Sequence, residues 1–253
     1  MNNQLAVVTG GGSGLGRALC QRLASRGLDV LAIGRRQAPL EETRQLAPER
    51  ISAVSADVAT DAGREVIATA VAERPVAALV HNAGILEPVA PLARVSLTDW
   101  RRSQAINVEG PLFLTQSLLP RLVGGRILHV SSGAAHSGYS GWGAYCTSKA
   151  ALHMLYQVWS VELAEQDIAV GSVRPGVVDT PMQTLLRQQR AEDFPAIDKF
   201  LTLHAEGRLE DPAEVAAFMA WLLLDVSAED FGRSEWTFTD PDQQSLWRAQ
   251  ERG

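Results

Sequence analysis

Seven short apolar runs recur along the chain at intervals too long for hairpins: residues 5–9, 30–34, 51–57, 77–82, 126–131, 169–174 and 235–239. They are rich in Val, Ile, Leu and Ala with little polar alternation. That is the pattern of strands buried on both faces, hence of parallel pairing beneath covering helices. Between them, apolar residues fall at helical spacing near 15–26, 38–47, 61–73, 98–123, 143–165 and 212–225. Such alternation with right-handed crossovers predicts an α/β chain with one doubly wound parallel sheet of about seven strands and helices on both faces. No repeat, low-complexity tract or linker divides residues 1–253, so a single domain is expected. One connection breaks the rhythm. The excursion at about 180–211 is too long for a plain loop and is expected to act as a substrate lid.

Charge and cysteine content narrow the partners. The formal net charge is -6, and no run of lysines or arginines offers a surface to phosphates, so nucleic acid is not an expected partner. Cys20 and Cys146 have no metal-ligand spacing and read as packing residues of a reducing compartment. No charged leader precedes Leu5, and no apolar run approaches the roughly 20 residues that span a bilayer. A cytoplasmic protein without a membrane partner is expected.

The stretch T-G-G-G-S-G-L-G-R-A follows the first strand directly. Gly10, Gly14 and Gly16 stand where strand turns into helix, letting backbone N–H groups approach a pyrophosphate at the helix N-terminus. About twenty residues on, the second strand ends in A-I-G-R-R. An acidic side chain there would bind a bare ribose hydroxyl. Arg35 and Arg36 suit a 2′-phosphate instead, so NADP(H) is preferred, with NAD(H) a possible alternative. A-D-V at 56–58 and H-N-A-G at 81–84 end the next two strands. Asp57 and Val58 are placed to meet an adenine edge, Asn82 to pin strand ends, and Gly84 to pass close to a ribose. Tyr145 and Lys149, four residues apart at the start of a helical run, rise from one helix face.

The ordered set T-G-x-x-x-G-x-G, N-A-G, N-V-x-G at 107–110, V-S-S at 130–132, Y-x-x-x-K and R-P-G-V-V-D-T at 174–180 resembles the short-chain dehydrogenase/reductase family across nearly the whole chain. The resemblance implies a Rossmann-type sheet and a nicotinamide cofactor. The first turn would hold that cofactor through Gly10, Gly12, Ser13, Gly14, Leu15 and Gly16. Asn82, Ala83 and Gly84 would line its ribose, and Pro175, Gly176, Val178 and Thr180 would cover the nicotinamide. It also implies that Tyr145 donates a proton to a carbonyl oxygen, that Lys149 tunes the phenol and holds the nicotinamide ribose, and that Ser132 polarises the carbonyl. Asn107, within the long helix, would anchor a relay water. The helices at about 98–123 and 143–165 carry apolar residues on more than one face. On the second, Ala151, Leu155 and Val158 form one stripe and Leu152, Tyr156, Trp159 and Leu163 another. One stripe covers the sheet, and the resemblance implies that the other pairs across a two-fold axis in a homodimer, with a tetramer as the alternative.

The segments G-W-G-A-Y-C-T-S-K-A-A-L-H-M-L-Y-Q-V, R-P-G-V-V-D-T-P-M-Q and H-N-A-G-I-L-E-P resemble most the sepiapterin reductase and diketone (benzil) reductase branch. That branch's pterin-binding members carry an aspartate in the last strand, where this chain has Thr237, with Asp240 as the nearest carboxylate. A neutral hydroxyl cannot replace that charged pairing. The expected substrate is therefore a small ketone or diketone, with a pterin side-chain carbonyl, alcohol oxidation and a non-catalytic NADPH sensor as alternatives. Tyr139, Trp142, Met182, Gln183 and Leu186 are candidates for its walls.

Overall fold

The computed structural model describes residues 4–251. Its strands are β1 (Leu5–Thr9), β2 (Asp29–Gly34), β3 (Ile51–Ser55), β4 (Val76–His81), β5 (Arg126–Val130), β6 (Ala169–Arg174) and β7 (Trp236–Thr237). They form one seven-stranded sheet in the order β3-β2-β1-β4-β5-β6-β7, every pair parallel. The helices are α1 (Gly14–Ser25), α2 (Gln37–Gln45), α3 (Asp61–Val71), α4 (Leu97–Gln104), α5 (Gly110–Leu118), α6 (Gly143–Glu162), α7 (Pro181–Arg187), α8 (Ile197–Ala205), α9 (Pro212–Leu224), α10 (Ala228–Arg233) and α11 (Pro241–Glu251). None among the described residues is long and apolar enough to cross a membrane.

Alternate residues of the strands feed two cores, as the period of two requires. Ala6 and Val8 face α1 and α9, where Leu19 and Leu23 meet Phe218, Met219 and Leu222. Leu5 and Val7 face the other layer, with Ile67 of α3, Leu114 of α5, and Tyr156 and Trp159 of α6. On α6 the stripe Leu152, Tyr156, Trp159 and Leu163 is therefore the one that covers the sheet. Met154, Val158 and Val161 remain exposed. Cys20 is a packing thiol, and burial pushes it up to about 12, which leaves it inert at neutral pH.

Several sequence expectations need correction. The continuous helix expected at 98–123 is interrupted. A single π-helical turn, Ala105–Glu109, separates α4 from α5. Pro111 in the first turn of α5 lacks the N–H that would bond back to residue 107, so the regular ladder cannot run through. The last strand is only two residues long, not five. The excursion carries α7 and α8 and has its own small core, in which Leu186, Phe194, Ile197 and Phe200 pack on Trp142 and Tyr145. Its two ends are joined: Asp179 N donates to Glu210 O and Glu210 N to Val177 O, both at 2.9 Å. Arg94 reaches its far side through Asp193 at 2.7 Å.

Candidate active site

The sheet order reverses between β1 and β4, which opens a crevice at the strands' carboxyl ends. Thr9, which sequence reasoning passed over, organises it. Its hydroxyl donates to Val80 O and accepts from the N–H groups of Asn82 and Ala83, each at 3.0 Å. Asn82 Nδ2 donates back to Thr9 O at 2.9 Å. The exits of β1 and β4 are thereby locked to each other, and the glycine turn follows immediately.

That turn is tight enough to demand glycine. Gly10 has φ +69°, and a Cβ there would meet Asn82 Nδ2 at 2.7 Å. At Gly16 a Cβ would stand 2.3 Å from Gly10 O and 2.5 Å from Asn82 Nδ2. Thr180 closes the turn from above, its Cγ2 3.0 Å from the Cβ position of Gly14. Arg17 and Thr43, also missed, hold the turn from the α2 side: Arg17 donates to Gly12 O at 2.7 Å and Thr43 Oγ1 to Gly11 O at 3.0 Å. Gly16→Ala is expected to cost about 1–3 kcal/mol of stability and to weaken dinucleotide binding. Denaturant unfolding and cofactor titration of the variant check both effects.

A groove runs from the glycine turn past Arg35, Arg36, Asp57 and Val58. Gly12 and Ser13 line the same end. Both guanidiniums are exposed, and among the described residues neither makes an ion pair. Asp57 Oδ1 accepts from Ala59 N at 3.0 Å, which orients the carboxylate along the rim.

The groove widens into a cleft of about 760 Å³ that reaches Leu15, Gly84, Ser132, Tyr145, Lys149, Pro175, Gly176 and Val178. Ser132 leaves β5 in an extended conformation and caps a short turn, Gly133–Ala135, accepting from Ala134 N at 3.1 Å. Lys149 is buried, and its Nζ donates to Val130 O at 2.7 Å and lies 5.7 Å from the Tyr145 ring centroid. Asn107 is not in an ordinary helix interior but in the π turn. Its Nδ2 donates to Ile85 O and Ser148 Oγ, and its Oδ1 accepts from Ile85 N, all at 2.9 Å. Asn107 does not line the cleft. It joins the loop after β4 to the catalytic helix, and its Oδ1 and Lys149 Nζ flank Gly84.

Burial dominates the electrostatics. It pushes the Tyr145 phenol up to about 12, while the Ser132 hydroxyl facing it pulls the other way. The same burial drives Lys149 down to about 8. The sequence argument has the ammonium lowering the phenol; in the protein alone, desolvation wins. A consequence follows for pH. Between about 8 and the ordinary lysine value near 10.4, the unfolded chain holds a proton that folded Lys149 has released. Lys149 therefore contributes stability that rises with pH across that window, while Cys20 opposes it above the ordinary thiol value of about 8.5 and Tyr145 above about 10, where the unfolded groups ionise first. The difference in unfolding free energy between the cofactor-free wild type and Lys149→Met, in which the Cys20 and Tyr145 contributions cancel, should shift by about 2 kcal/mol in favour of the wild type from pH 7.5 to 9.5.

The outer walls of the cleft are mainly apolar, with Leu86, Tyr139, Trp142, Met182, Leu185 and Phe200, and carry two charged side chains, Glu87 and Lys199. Gln183 and Thr237 line it too. Trp142 is held by a stacked contact with Phe194, centroids 4.6 Å apart. Leu186 is not a wall: it is fully buried in the excursion's own core, against which the half-buried Met182 and Leu185 pack. Asp240 is also outside the cleft. It caps α11, its Oδ1 accepting from Asp242 N and Gln243 N at 3.0 and 3.1 Å. Thr237 Oγ1 accepts from Arg174 Nη2 at 2.7 Å.

Similarity to known proteins agrees with this arrangement. The chain is 33% identical over 244 residues to the benzil reductase ((S)-benzoin forming) of Bacillus cereus, covering 90% of this chain and 96% of that one. The crystal structure of the KRED1-Pglu enzyme superposes with a TM-score of 0.85 at 31% identity, over 92% of this chain and 99% of that one. The 3-ketoacyl-(acyl-carrier-protein) reductase of Brucella melitensis, solved in complex with NADH, does so at 0.81 and 26% identity, over 94% and 97%. Residues 4–191 match the family model described as short chain dehydrogenase. With the parallel sheet, the glycine turn and the Ser132–Tyr145–Lys149 cluster in place, the chain belongs to the short chain dehydrogenase family.

Proposed function

We propose that this protein is a cytoplasmic carbonyl reductase that uses NADPH to reduce a ketone or diketone of benzil-like, apolar character. The observation that carries the reading is a buried, protonated phenol and a serine hydroxyl at the floor of a cleft walled mainly by aromatic and aliphatic side chains. The glycine turn, where added Cβ atoms would clash, and the two unpaired guanidiniums fit a dinucleotide with a 2′-phosphate. The chemistry such a cofactor supplies when bound is a hydride for the carbonyl carbon.

The chain's own residues handle position and proton. Ser132 hydrogen-bonds the carbonyl oxygen and polarises it. Tyr145 Oη gives its proton to that oxygen as negative charge develops there, and the phenolate recovers a proton from water. Lys149, held in place by Val130 O, favours the phenolate and takes the ribose hydroxyls. Thr237 supports a ketone over a pterin, because its hydroxyl is already engaged by Arg174 and carries no charge. Loss of NADPH absorbance with benzil, a small aliphatic diketone and sepiapterin tests the reading. Turnover of a diketone is the expected result; sepiapterin as the best substrate, or silence with a broad carbonyl panel, would overturn it.

The working protein is a homodimer. Met154, Val158 and Val161 follow one another on an exposed face of α6, and Leu97 and Phe113 stand exposed on α4 and α5. Together they form an apolar surface that a second copy would cover. Sedimentation at micromolar concentration should give a dimer, and Val158→Glu should split it; a wild-type monomer would end this assignment.

A further inference from the structure

Behind the serine loop, away from the catalytic pair, three metal-ligating side chains converge. His136 ends the short turn that Ser132 caps, His153 stands on α6 four residues past Lys149, and Glu235 immediately precedes β7. His136 Nε2 lies 2.7 Å from Glu235 Oε2, and His153 Nδ1 lies 3.1 Å from Oε1. One donor atom from each residue falls within 4.8 Å of the other two. Of the other histidines, His81 and His129 are buried in the sheet and His204 sits on α8.

We propose that His136, His153 and Glu235 bind one divalent transition-metal ion of the zinc class behind the serine loop. Two imidazoles and a carboxylate suit Zn²⁺, Co²⁺ or Ni²⁺, whereas Mg²⁺ and Ca²⁺ take oxygen donors. The ligands are backed as metal ligands usually are. Ser172 Oγ donates to Glu235 Oε1 at 2.9 Å, and Arg174 Nε sits 3.2 Å from Oε2. The far nitrogen of His153 accepts from Gln157 Nε2 at 3.3 Å, which places the ring proton on Nδ1, so binding an ion there releases that proton and turns the Gln157 amide to present its oxygen to Nε2. Glu235 is 9% exposed and His136 39%, so an ion enters past His136 and water completes its coordination on that side.

Without an ion, the same nitrogens spend themselves on hydrogen bonds to Glu235, and Arg174 adds a positive charge to that carboxylate. That charge opposes any cation, so binding depends on the imidazoles and is expected in the micromolar range. The ligands come from the serine loop, the catalytic helix and the approach to β7, so a bound ion would cross-link three parts of the active-site frame. The site does not depend on the substrate assigned to the enzyme.

The test is a titration of the metal-free full chain with Co²⁺, followed by its visible absorption, with displacement by Zn²⁺ and a parallel melting curve. One equivalent should bind, raise the melting temperature, and weaken at least ~10-fold in His136→Asn, a loop position, and again in His153→Gln. His204→Asn and Cys146→Ser should bind as the wild type does. No stoichiometric binding below about 100 µM, or binding that His136→Asn leaves unchanged, would reduce the cluster to a hydrogen-bonded ion-pair network and overturn the proposal.

Discussion

Tyr145→Phe should lower diketone turnover by about a thousandfold, within the 10²–10⁴ range of a lost general acid, while NADPH still binds. The substitution removes one oxygen and keeps the ring. That ring meets Trp142 edge to face at 5.4 Å and belongs to the excursion's core, so its shape is needed for packing as well as chemistry. What disappears is the phenol proton facing Ser132, which stays in place at neutral pH because burial holds the phenol at about 12. Lys149 cannot replace it directly, since Nζ is tied to Val130 O. Single-turnover reduction separates this effect from binding. A variant within tenfold of wild type would mean that Ser132 or water delivers the proton.

Arg35→Ser combined with Arg36→Ser should cost NADPH a hundred- to a thousandfold in kcat/KM and leave NADH nearly untouched. Each guanidinium–phosphate hydrogen bond is worth about 1.5–3 kcal/mol, and two together reach that range even after discounting for their exposure. Neither arginine carries structural work that its loss would confound, because among the described residues neither is paired with a carboxylate. Steady-state rates with the two cofactors decide the matter. Equal losses with NADPH and NADH would show that the arginines shape the groove rather than read the phosphate.

Much of this frame was legible from residues because it follows from local rules. Strands buried on both faces must be apolar throughout, and a strand-to-helix turn as tight as that at Gly10 and Gly16 must be glycine. The π turn was not legible as such, although Pro111 marked the helix as unable to continue. Helices α10 and α11 were readable and overlooked. Ser227 caps the first through Asp230 N, and Asp240 followed by Pro241 opens the second. Leu186 and Asp240 were misplaced for a different reason. Sequence spacing puts a residue near the site, but the facing of a short helix or a cap depends on packing that no local pattern encodes. Thr9, Arg17 and Glu235 act through partners distant in sequence, so nothing beside them announced their roles.

The joined ends of the excursion bear on how such an enzyme can be redesigned. Because Val177, Asp179 and Glu210 are hydrogen-bonded across its base, residues 180–209 leave the sheet and return at almost the same point. A replacement segment of another length would meet the same anchor, and closing a loop twice as long costs only about 0.6 kcal/mol more. The one requirement carried over is an aromatic partner for Trp142, the part that Phe194 and Phe200 play here. The excursion is in that sense an exchangeable part: Ser132, Tyr145 and Lys149 all lie outside it, and what it adds to the cleft is a wall built from Met182, Leu185 and Phe200.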